Sequence, residues 1–194
     1  DKLSKENKKK LINNIHTDLK RMNQLITDIS KFTRLKAEIE LEKNEYIELN
    51  SFLSKIPQIF TDNSQEIEFM LEKNEENLKV LANRNKLIQV FVNLIENSIS
   101  LSPSKSKIFI KLSKKNNNKI FVKIYDQGIG INQKDSEKIF ERFYTDRQNI
   151  KNHTGLGLSI AREIITHMNG QLLLDKSDKS EYSGACFLII LPVR

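Results

Sequence analysis

The chain has 194 residues, of which 38% are hydrophobic and 29% are charged, and its formal net charge is +7. This composition is typical of a folded globular domain, which excludes a disordered chain, and no apolar run approaches the roughly 20 residues of a membrane-spanning helix. The single cysteine, Cys186, and the three separated histidines exclude a disulfide framework and a His/Cys metal cluster, as is usual in a reducing compartment.

The basic charge suits a partner that carries phosphate. The lysines are scattered and form no stripe with interleaved aromatic residues, so we expect no nucleic-acid partner. The chain begins with Asp1 rather than Met and has no signal peptide. We interpret it as a region of a longer protein, with any membrane anchor outside it.

The first block, about residues 4–45, contains neither Gly nor Pro and is predicted to form one long helix. Alternating spacings of three and four define a heptad face of Ile12, Ile15, Leu19, Met22, Ile26, Ile29 and Thr33. Four more apolar residues widen it, namely Leu11, Leu25, Phe32 and Leu35. Such a face is typical of a bundle helix and predicts partner helices, from a missing part of the chain or from a second copy.

From about Pro57 onward the pattern becomes one of short strands and two helices. Strands are predicted over 67–71, 78–82, 108–112, 120–125, 172–174 and 185–191, with a hairpin turn over 113–119. Helices are predicted over 86–101 and 158–169, the second stopped by Gly170. This order indicates an α+β fold, a two-layer sandwich of a mixed sheet with helices on one face.

Glycine is scarce, with six residues in the chain, and four of them lie in two short clusters. Gly128 and Gly130 follow a predicted strand directly, and Gly155 and Gly157 open a predicted helix. Glycine is used where φ must be positive or where a ligand approaches the backbone. A helix that begins in a glycine turn offers free N–H groups to a phosphate. Either cluster alone would equally suit an ordinary turn.

Polar side chains accompany these glycines. Asp126 ends a strand without a cationic neighbour in sequence, so its carboxylate is suited to accept from an exocyclic amino group. Thr154 adds a hydroxyl beside the second cluster. Asn93 and Asn97 are four residues apart on the predicted helix, where their amides would share one face and could hold hydrated Mg²⁺ and phosphate oxygens. They would equally suit two solvated asparagines.

The segment Ile139–Tyr144 places two phenylalanines between the glycine clusters. Aromatic anchors in an otherwise polar stretch, 132–154, predict a lid that packs down on a bound ligand. The alternative is a short helix attached to the core.

Four elements have now been described: the asparagine pair, the first glycine cluster, the segment Ile139–Tyr144 and the second glycine cluster. In this order along the chain, they resemble the catalytic domain of sensor histidine kinases from about residue 50 onward. They are similar to its N box (93–97), first glycine box (126–130), phenylalanine box (140–143) and second glycine box (155–158). The resemblance implies the Bergerat ATP-binding fold, adenine at Asp126, Mg²⁺ at Asn97 with Asn93 beside it, and phosphates at 154–158. The ATP-binding residues implied are Asn93, Asn97, Asp126, Gly128, Gly130, Thr154, Gly155, Leu156, Gly157 and Leu158.

The first block is similar to the second helix of that family's dimerisation hairpin. The expected domains are therefore 1–48, a hairpin helix whose partner helix is missing, and 49–194, the catalytic domain. The phosphoacceptor motif is absent around His16, and neither His153 nor His167 is an expected acceptor. The resemblance thus implies transfer of the ATP γ-phosphoryl group to a histidine outside the chain, with no catalytic residue within it.

The same resemblance implies relay to an aspartate of a response-regulator receiver domain and a homodimer formed through the hairpin. It also implies a cytoplasmic domain of a protein anchored in the inner membrane. Ser100, Leu101 and His153 depart from the residues usual in the family, so phosphate neutralisation is expected from Arg142, Arg147 or Lys151. Two alternatives remain: a nucleotide-dead dimerisation module, and another ATPase or Ser/Thr kinase on the same fold.

Overall fold

The computed structural model describes residues 43–60, 67–115, 118–145, 154–175, 182 and 184–193, with residues 7, 10–16, 19, 22, 23, 26, 27 and 30 of the first block. The strands are β1 (Glu45–Glu48), β2 (Glu68–Glu72), β3 (Lys79–Ala82), β4 (Lys107–Lys115), β5 (Lys119–Tyr125), β6 (Gln171–Leu174) and β7 (Cys186–Pro192). The α-helices are α1 (Leu49–Lys55), α2 (Arg84–Leu101) and α3 (Gly157–His167). Short 3₁₀ turns cover Ile56–Phe60, Gln133–Asp135 and Lys138–Phe140. Within these ranges no helix is long and apolar enough to cross a bilayer.

The described residues of the first block are helical, and the apolar side chains among them are at least half exposed. Leu25, Ile29, Phe32, Thr33 and Leu35 of the predicted heptad face lie outside the described residues. The predicted end of this helix at residue 45 is wrong, because strand β1 begins there and pairs antiparallel with β3. Ile47 is fully buried opposite Val80. Residues 45–48 thus pair with a strand that lies within the predicted catalytic domain, and the domain boundary at 48/49 stays a prediction.

The main sheet has five strands in the order β2-β4-β5-β7-β6. The β2–β4 pair is parallel and the other pairs are antiparallel, which confirms the predicted mixed sheet. The β4–β5 hairpin is longer than predicted. Ser113 pairs with Phe121 and Lys115 with Lys119, because polar residues that alternate on the outer face continue the ladder to the turn.

One face of this sheet forms the core. The inward positions of β4 and β5 alternate regularly with half-buried residues of the outer face. Helices α2 and α3 cover the inward face, and their apolar stripes join the sheet in one cluster that includes Leu87, Phe91, Leu94, Ile110, Val122, Ile164, Ile165 and Ile189. The two-layer α+β prediction is thereby confirmed.

Helix α3 ends two residues earlier than predicted, and Gly170 does not stop it by a left-handed conformation. Asn169 takes that conformation, with φ of 56°. Its N–H donates to the Thr166 carbonyl, and the Gly170 N–H donates to the Ile165 carbonyl, both at 2.9 Å, as in a Schellman motif. Glycine is required at position 170 for space, because a Cβ there would lie 2.6 Å from the Ile190 carbonyl oxygen.

Candidate functional site

The Asp126 carboxylate lies at the end of strand β5 and is held by backbone groups. Its Oδ1 accepts hydrogen bonds from the N–H groups of Ala185, at 2.8 Å, and Gly128, at 3.0 Å. The residue is 1% exposed, and among the described residues its Oδ2 has no hydrogen-bond partner. One oxygen therefore fixes the carboxylate, and the other is left as an acceptor for a ligand.

The protonation of Asp126 reflects opposing effects. Burial raises the pKa of its carboxyl above the ordinary value of 3.8, because desolvation disfavours the charged form. The N–H groups of Ala185 and Gly128, and the Ser98 hydroxyl, act in the opposite direction by stabilising the carboxylate. Burial is the largest effect, so the pKa remains raised.

Gly184 and Ala185, just before β7, complete the surroundings of Asp126. The sequence analysis did not predict them as site residues. The Gly184 N–H donates to the Asp126 carbonyl at 3.1 Å. A Cβ on Gly184 would lie 2.5 Å from the Gly128 nitrogen and 2.6 Å from the Asp126 carbonyl oxygen. The available signal was the position of a rare glycine immediately before a strand.

Helix α2 brings the two glycine clusters together. Asn83 caps its start by accepting the Lys86 N–H at 3.0 Å. Near the middle of the helix, Asn93 Cγ lies 3.7 Å from the position of a Cβ on Gly157. At its end, the Leu101 carbonyl oxygen lies 3.0 Å from the position of a Cβ on Gly128. The two contacts are separated by about 12 Å along the helix axis, at 1.5 Å per residue.

The predicted amide pair lies on this helix. Asn93 Nδ2 is buried and has no hydrogen-bond partner within the described ranges. Asn97 is half-buried one turn later, and its carbonyl accepts the Ser100 hydroxyl at 2.8 Å. Along α2, Asn93 therefore contacts the second glycine cluster, and Asn97 lies between that contact and the contact of Leu101 with Gly128.

The second glycine cluster forms the start of α3. Gly155 has φ of 72°, and its N-cap neighbour Leu156 makes no side-chain capping hydrogen bond in the part of the chain described. The first N–H groups of α3 therefore remain suited to an anion. Because the Leu156 side chain is 2% exposed, only its backbone can face a ligand. Thr154 and Leu158 flank this turn and are half-buried, and Gly130 of the first cluster is left-handed, with φ of 74°.

The phenylalanine box combines a core anchor with an exposed ring. Phe140 is 5% exposed, and the Arg162 guanidinium lies 4.8 Å from its ring centre. Phe143 is 51% exposed and left-handed, with φ of 65°, and its N–H donates to the Gly155 carbonyl at 3.0 Å. The box is thus tied to the second glycine cluster, although residues 146–153 of the predicted lid lie outside the described residues.

A cavity of about 550 Å³ is lined by the phenylalanine box and by residues of α3. Asp126 does not line it. Arg142 borders it and lies 3.8 Å from Glu163, so this candidate phosphate ligand is paired here. Arg147, Lys151 and His153 lie outside the described residues. His167, which was not expected to be a phosphoacceptor, lies 3.8 Å from Glu163 at the end of α3.

The fold and this arrangement define an ATP-binding domain, and comparison with known proteins agrees. Residues 82–194 match the family described as histidine kinase-, DNA gyrase B- and HSP90-like ATPase. The chain therefore belongs to this family, and it is the ATP-binding catalytic region of a sensor histidine kinase.

Individual relatives support this assignment. The chain is 31% identical over 203 residues to the sensor protein ChvG of Rhizobium meliloti (strain 1021), covering 97% of this chain and 35% of ChvG. The chain thus spans about a third of that curated relative. The catalytic domain of histidine kinase ThkA is 28% identical, with a TM-score of 0.67, over 78% of this chain and 97% of the ThkA chain.

A second structure shows ThkA in complex with the response regulator protein TrrA. It is 26% identical to this chain, with a TM-score of 0.70, and covers 100% of this chain and 53% of the ThkA chain. The similarity therefore extends beyond the isolated catalytic domain.

Proposed function

We propose that this region binds Mg²⁺·ATP at the site between the two glycine clusters and directs the γ-phosphoryl group to a histidine outside the chain. The observation that supports this most is the Asp126 carboxylate. Two backbone N–H groups hold its Oδ1, and its buried Oδ2 makes no hydrogen bond within the described structure. A buried polar atom of this kind costs stability unless a ligand satisfies it.

In this proposal Asp126 Oδ2 accepts a hydrogen bond from the exocyclic amino group of adenine. Gly128 and Gly130 let the backbone approach the base, since a side chain on Gly128 would crowd the Leu101 carbonyl. The amino group is a donor, and an ionised carboxylate is an acceptor only, so the pairing favours adenine over a base with a carbonyl at that position.

In this proposal the phosphates lie near the middle of α2, where Asn93 contacts Gly157. The backbone at the turn that opens α3 contacts them, aided by the helix dipole, through Thr154, Gly155, Leu156, Gly157 and Leu158. Asn97 is the protein ligand to Mg²⁺, and Asn93 lies beside it. Neutral amides suit a metal already bound to a triphosphate, because they add no negative charge.

Phosphoryl transfer breaks the bond between the γ-phosphorus and the β,γ-bridging oxygen and forms a bond to a histidine nitrogen, with ADP as the leaving group. This reaction depends on positioning and charge neutralisation rather than on covalent chemistry by the domain. We therefore assign no catalytic residue within this chain, and the acceptor histidine lies elsewhere in the longer protein.

The same longer protein is proposed to form a homodimer through a helical hairpin that includes the helical residues of the first block, with the catalytic domain in the cytoplasm and an anchor in the inner membrane. The exposed apolar residues Ile12, Ile15, Leu19, Met22 and Ile26 support the hairpin, because such a face needs partner helices. The phosphohistidine would transfer its phosphoryl group to an aspartate of a response regulator. The ThkA–TrrA complex supports this partner class.

Calorimetric titration with Mg²⁺·ATP tests the site. Wild type should bind, and Asp126→Asn should lose binding by about 10- to 100-fold, as expected for a hydrogen bond to a charged group. Asp175→Asn is the matched control, since Asp175 is mostly buried but its carboxylate pairs with Lys123 at 2.9 Å. A folded wild type without ATP binding would favour the dimerisation-module alternative.

Incubation with γ-labelled ATP tests the missing acceptor. The chain should not label itself, and it should show no sustained ATP turnover. Self-labelling would contradict an acceptor outside the chain, and steady turnover would favour the alternative of an ATPase on the same fold.

A further inference from the structure

Three aromatic rings stack on the outer face of the main sheet, the face away from α2 and α3. Phe109 of β4 and Tyr125 of β5 are direct partners in the ladder, and their ring centres lie 5.6 Å apart. Tyr182 precedes β7, and its ring lies 5.3 Å from that of Phe109 at an angle of only 8°. Its distance from the Tyr125 ring is 5.6 Å. Tyr182 therefore attaches the residues before β7 to strands β4 and β5.

The hydroxyl end of the Tyr182 side chain reaches a third strand. It lies 3.7 Å from the sulfur of Met70, which is the partner of Phe109 in the parallel β2–β4 ladder. The side chain thus crosses three neighbouring strands. A tyrosine offers a large contact area and loses little rotational freedom when it is fixed. It is therefore well suited to hold a segment of backbone in one place.

The two segments that carry Tyr125 and Tyr182 meet again at Asp126. Tyr125 immediately precedes Asp126, and Tyr182 stands two positions before Gly184. The Asp126 N–H donates to the Ala185 carbonyl, and the Gly184 N–H donates to the Asp126 carbonyl, both at 3.1 Å. The Ala185 N–H donates to the Asp126 carboxylate at 2.8 Å. The stacked rings therefore join, on the outer face, the same two segments whose backbone holds the carboxylate.

The segment needs such an anchor because it contains Gly184. Glycine restricts the backbone less than any other residue, and it has no side chain that could pack. Tyr182 is the nearest preceding residue whose side chain the structure describes. Its ring contacts lie within the range, about 4.5–7 Å between centres, in which aromatic pairs attract each other.

We propose that Tyr182 is a positioning residue for nucleotide binding: its stacked ring keeps the Ala185 N–H in place on the Asp126 carboxylate. The ring acts from the outer face of the sheet, without contact with the nucleotide. This inference rests on the proposed adenine site at Asp126. It predicts that loss of the ring weakens the hydrogen bond between the carboxylate and the amino group of the base, and leaves the rest of nucleotide binding unchanged.

Calorimetric titration with Mg²⁺·ATP and with Mg²⁺·purine riboside triphosphate, which lacks the amino group, tests this role. Wild type should prefer ATP by about 10- to 100-fold, as expected for a hydrogen bond to a charged group. Without the ring, only part of the folded population should hold the carboxylate correctly, so Tyr182→Ala should bind ATP about 3- to 10-fold more weakly. Its affinity for purine riboside triphosphate should equal that of wild type, because that compound does not use the carboxylate.

Two further variants at the same position separate the ring from the rest of the side chain. Tyr182→Phe keeps the stacked ring and removes only the hydroxyl beside Met70, so it should bind ATP as wild type does. Tyr182→Leu removes the ring with a smaller loss of volume, and it should show the same selective loss as Tyr182→Ala.

Phe121→Ala is the matched control for a truncated ring on the outer face. Phe121 is half-buried on β5, with the Lys115 ammonium 5.2 Å from its ring centre. It stands four residues before Tyr125, about 13 Å along the strand. Its truncation should leave the affinities for both nucleotides unchanged.

Hydrogen exchange of the Ala185 N–H reports the positioning directly, since this group donates to the Asp126 carboxylate. Exchange should be faster in Tyr182→Ala than in wild type, because local opening exposes the N–H to water. Tyr182→Phe and Phe121→Ala should retain the wild-type rate.

A folded Tyr182→Ala with wild-type ATP affinity would overturn the inference. An equal loss for the two nucleotides would overturn it as well, because the ring would then contribute to stability in general. The proposed site itself would fail differently. In that case wild type would show no preference for ATP over purine riboside triphosphate.

Discussion

Gly184 and Asp126 form a backbone contact that leaves no room for a side chain on Gly184. The Gly184 N–H donates to the Asp126 carbonyl at 3.1 Å, and a Cβ at position 184 would overlap the Asp126 side chain. The following N–H, that of Ala185, holds the same carboxylate at 2.8 Å. The approach to β7 therefore determines where the Asp126 carboxylate lies.

Gly184→Ala should disturb this contact. The added methyl group would lie 2.5 Å from the Gly128 nitrogen and 2.6 Å from the Asp126 carbonyl oxygen. We therefore expect a loss of about 1–3 kcal/mol in the free energy of unfolding. ATP affinity should fall at least about 10-fold, because a displaced Ala185 N–H would release Asp126. Urea unfolding and calorimetry measure the two effects.

Gly157→Ala is the stability control for this experiment. The described atoms nearest to a Cβ at position 157 belong to Asn93, at 3.7 Å, which is ordinary contact. Its free energy of unfolding should stay within about 0.5 kcal/mol of wild type. Equal destabilisation of both variants would contradict a specific contact at Gly184.

The raised pKa of Asp126 predicts a pH-dependent stability difference between wild type and Asp126→Asn. Because burial raises the pKa in the folded state above 3.8, the folded protein binds this proton more tightly than the unfolded chain does. This contribution to stability is complete below pH 3.8 and is lost as the pH rises through the raised pKa. Asp126→Asn should therefore gain stability relative to wild type as the pH rises through that range. Urea unfolding of both proteins across the pH range measures the difference, and a constant difference would refute the prediction.

Asn97→Ala tests the metal ligand. If Asn97 binds Mg²⁺, its loss should weaken ATP binding about 10-fold in the presence of Mg²⁺ and change it little in EDTA. Glu96→Gln is a suitable control, because Glu96 is the exposed neighbour on the same helix. Equal losses with and without the metal would assign Asn97 to the nucleotide instead.

Gly155→Ala should weaken the connection between the phenylalanine box and α3. The residue has φ of 72°, and a Cβ would lie 2.6 Å from the Tyr144 carbonyl oxygen. We expect a loss of about 1–3 kcal/mol in unfolding free energy. The Phe143 N–H, which donates to the Gly155 carbonyl, should also exchange its hydrogen faster.

Gly155→Asn separates the two causes of that loss. Asn tolerates a left-handed conformation, as Asn169 does at φ of 56°. If the contact with Tyr144 dominates, Asn should be as damaging as Ala. Wild-type exchange in the Asn variant would show that φ alone requires glycine.

Features that depend on near neighbours were predictable from the sequence. The apolar spacing of α2, the alternation of β4 and β5, and the two glycine clusters each occupy a few consecutive residues, where periodicity and turn chemistry act. They were sufficient to predict the α+β fold and, together with the N box and the phenylalanine box, the family. The roles assigned to Asp126 and Asn97 came from the resemblance and remain predictions.

Features that depend on distant partners were decided by the tertiary structure. Residues 45–48 become a strand because β3 offers an edge, overriding the helical pattern before them. Gly170 is required by the Ile190 carbonyl rather than by its own φ. Ala185 holds Asp126 from 59 positions away only once β5 and β7 pair, and Ser98 reaches that carboxylate only when α2 covers the sheet. Local sequence encodes local conformation, whereas these contacts arise when the layers pack and crowd particular backbone atoms together.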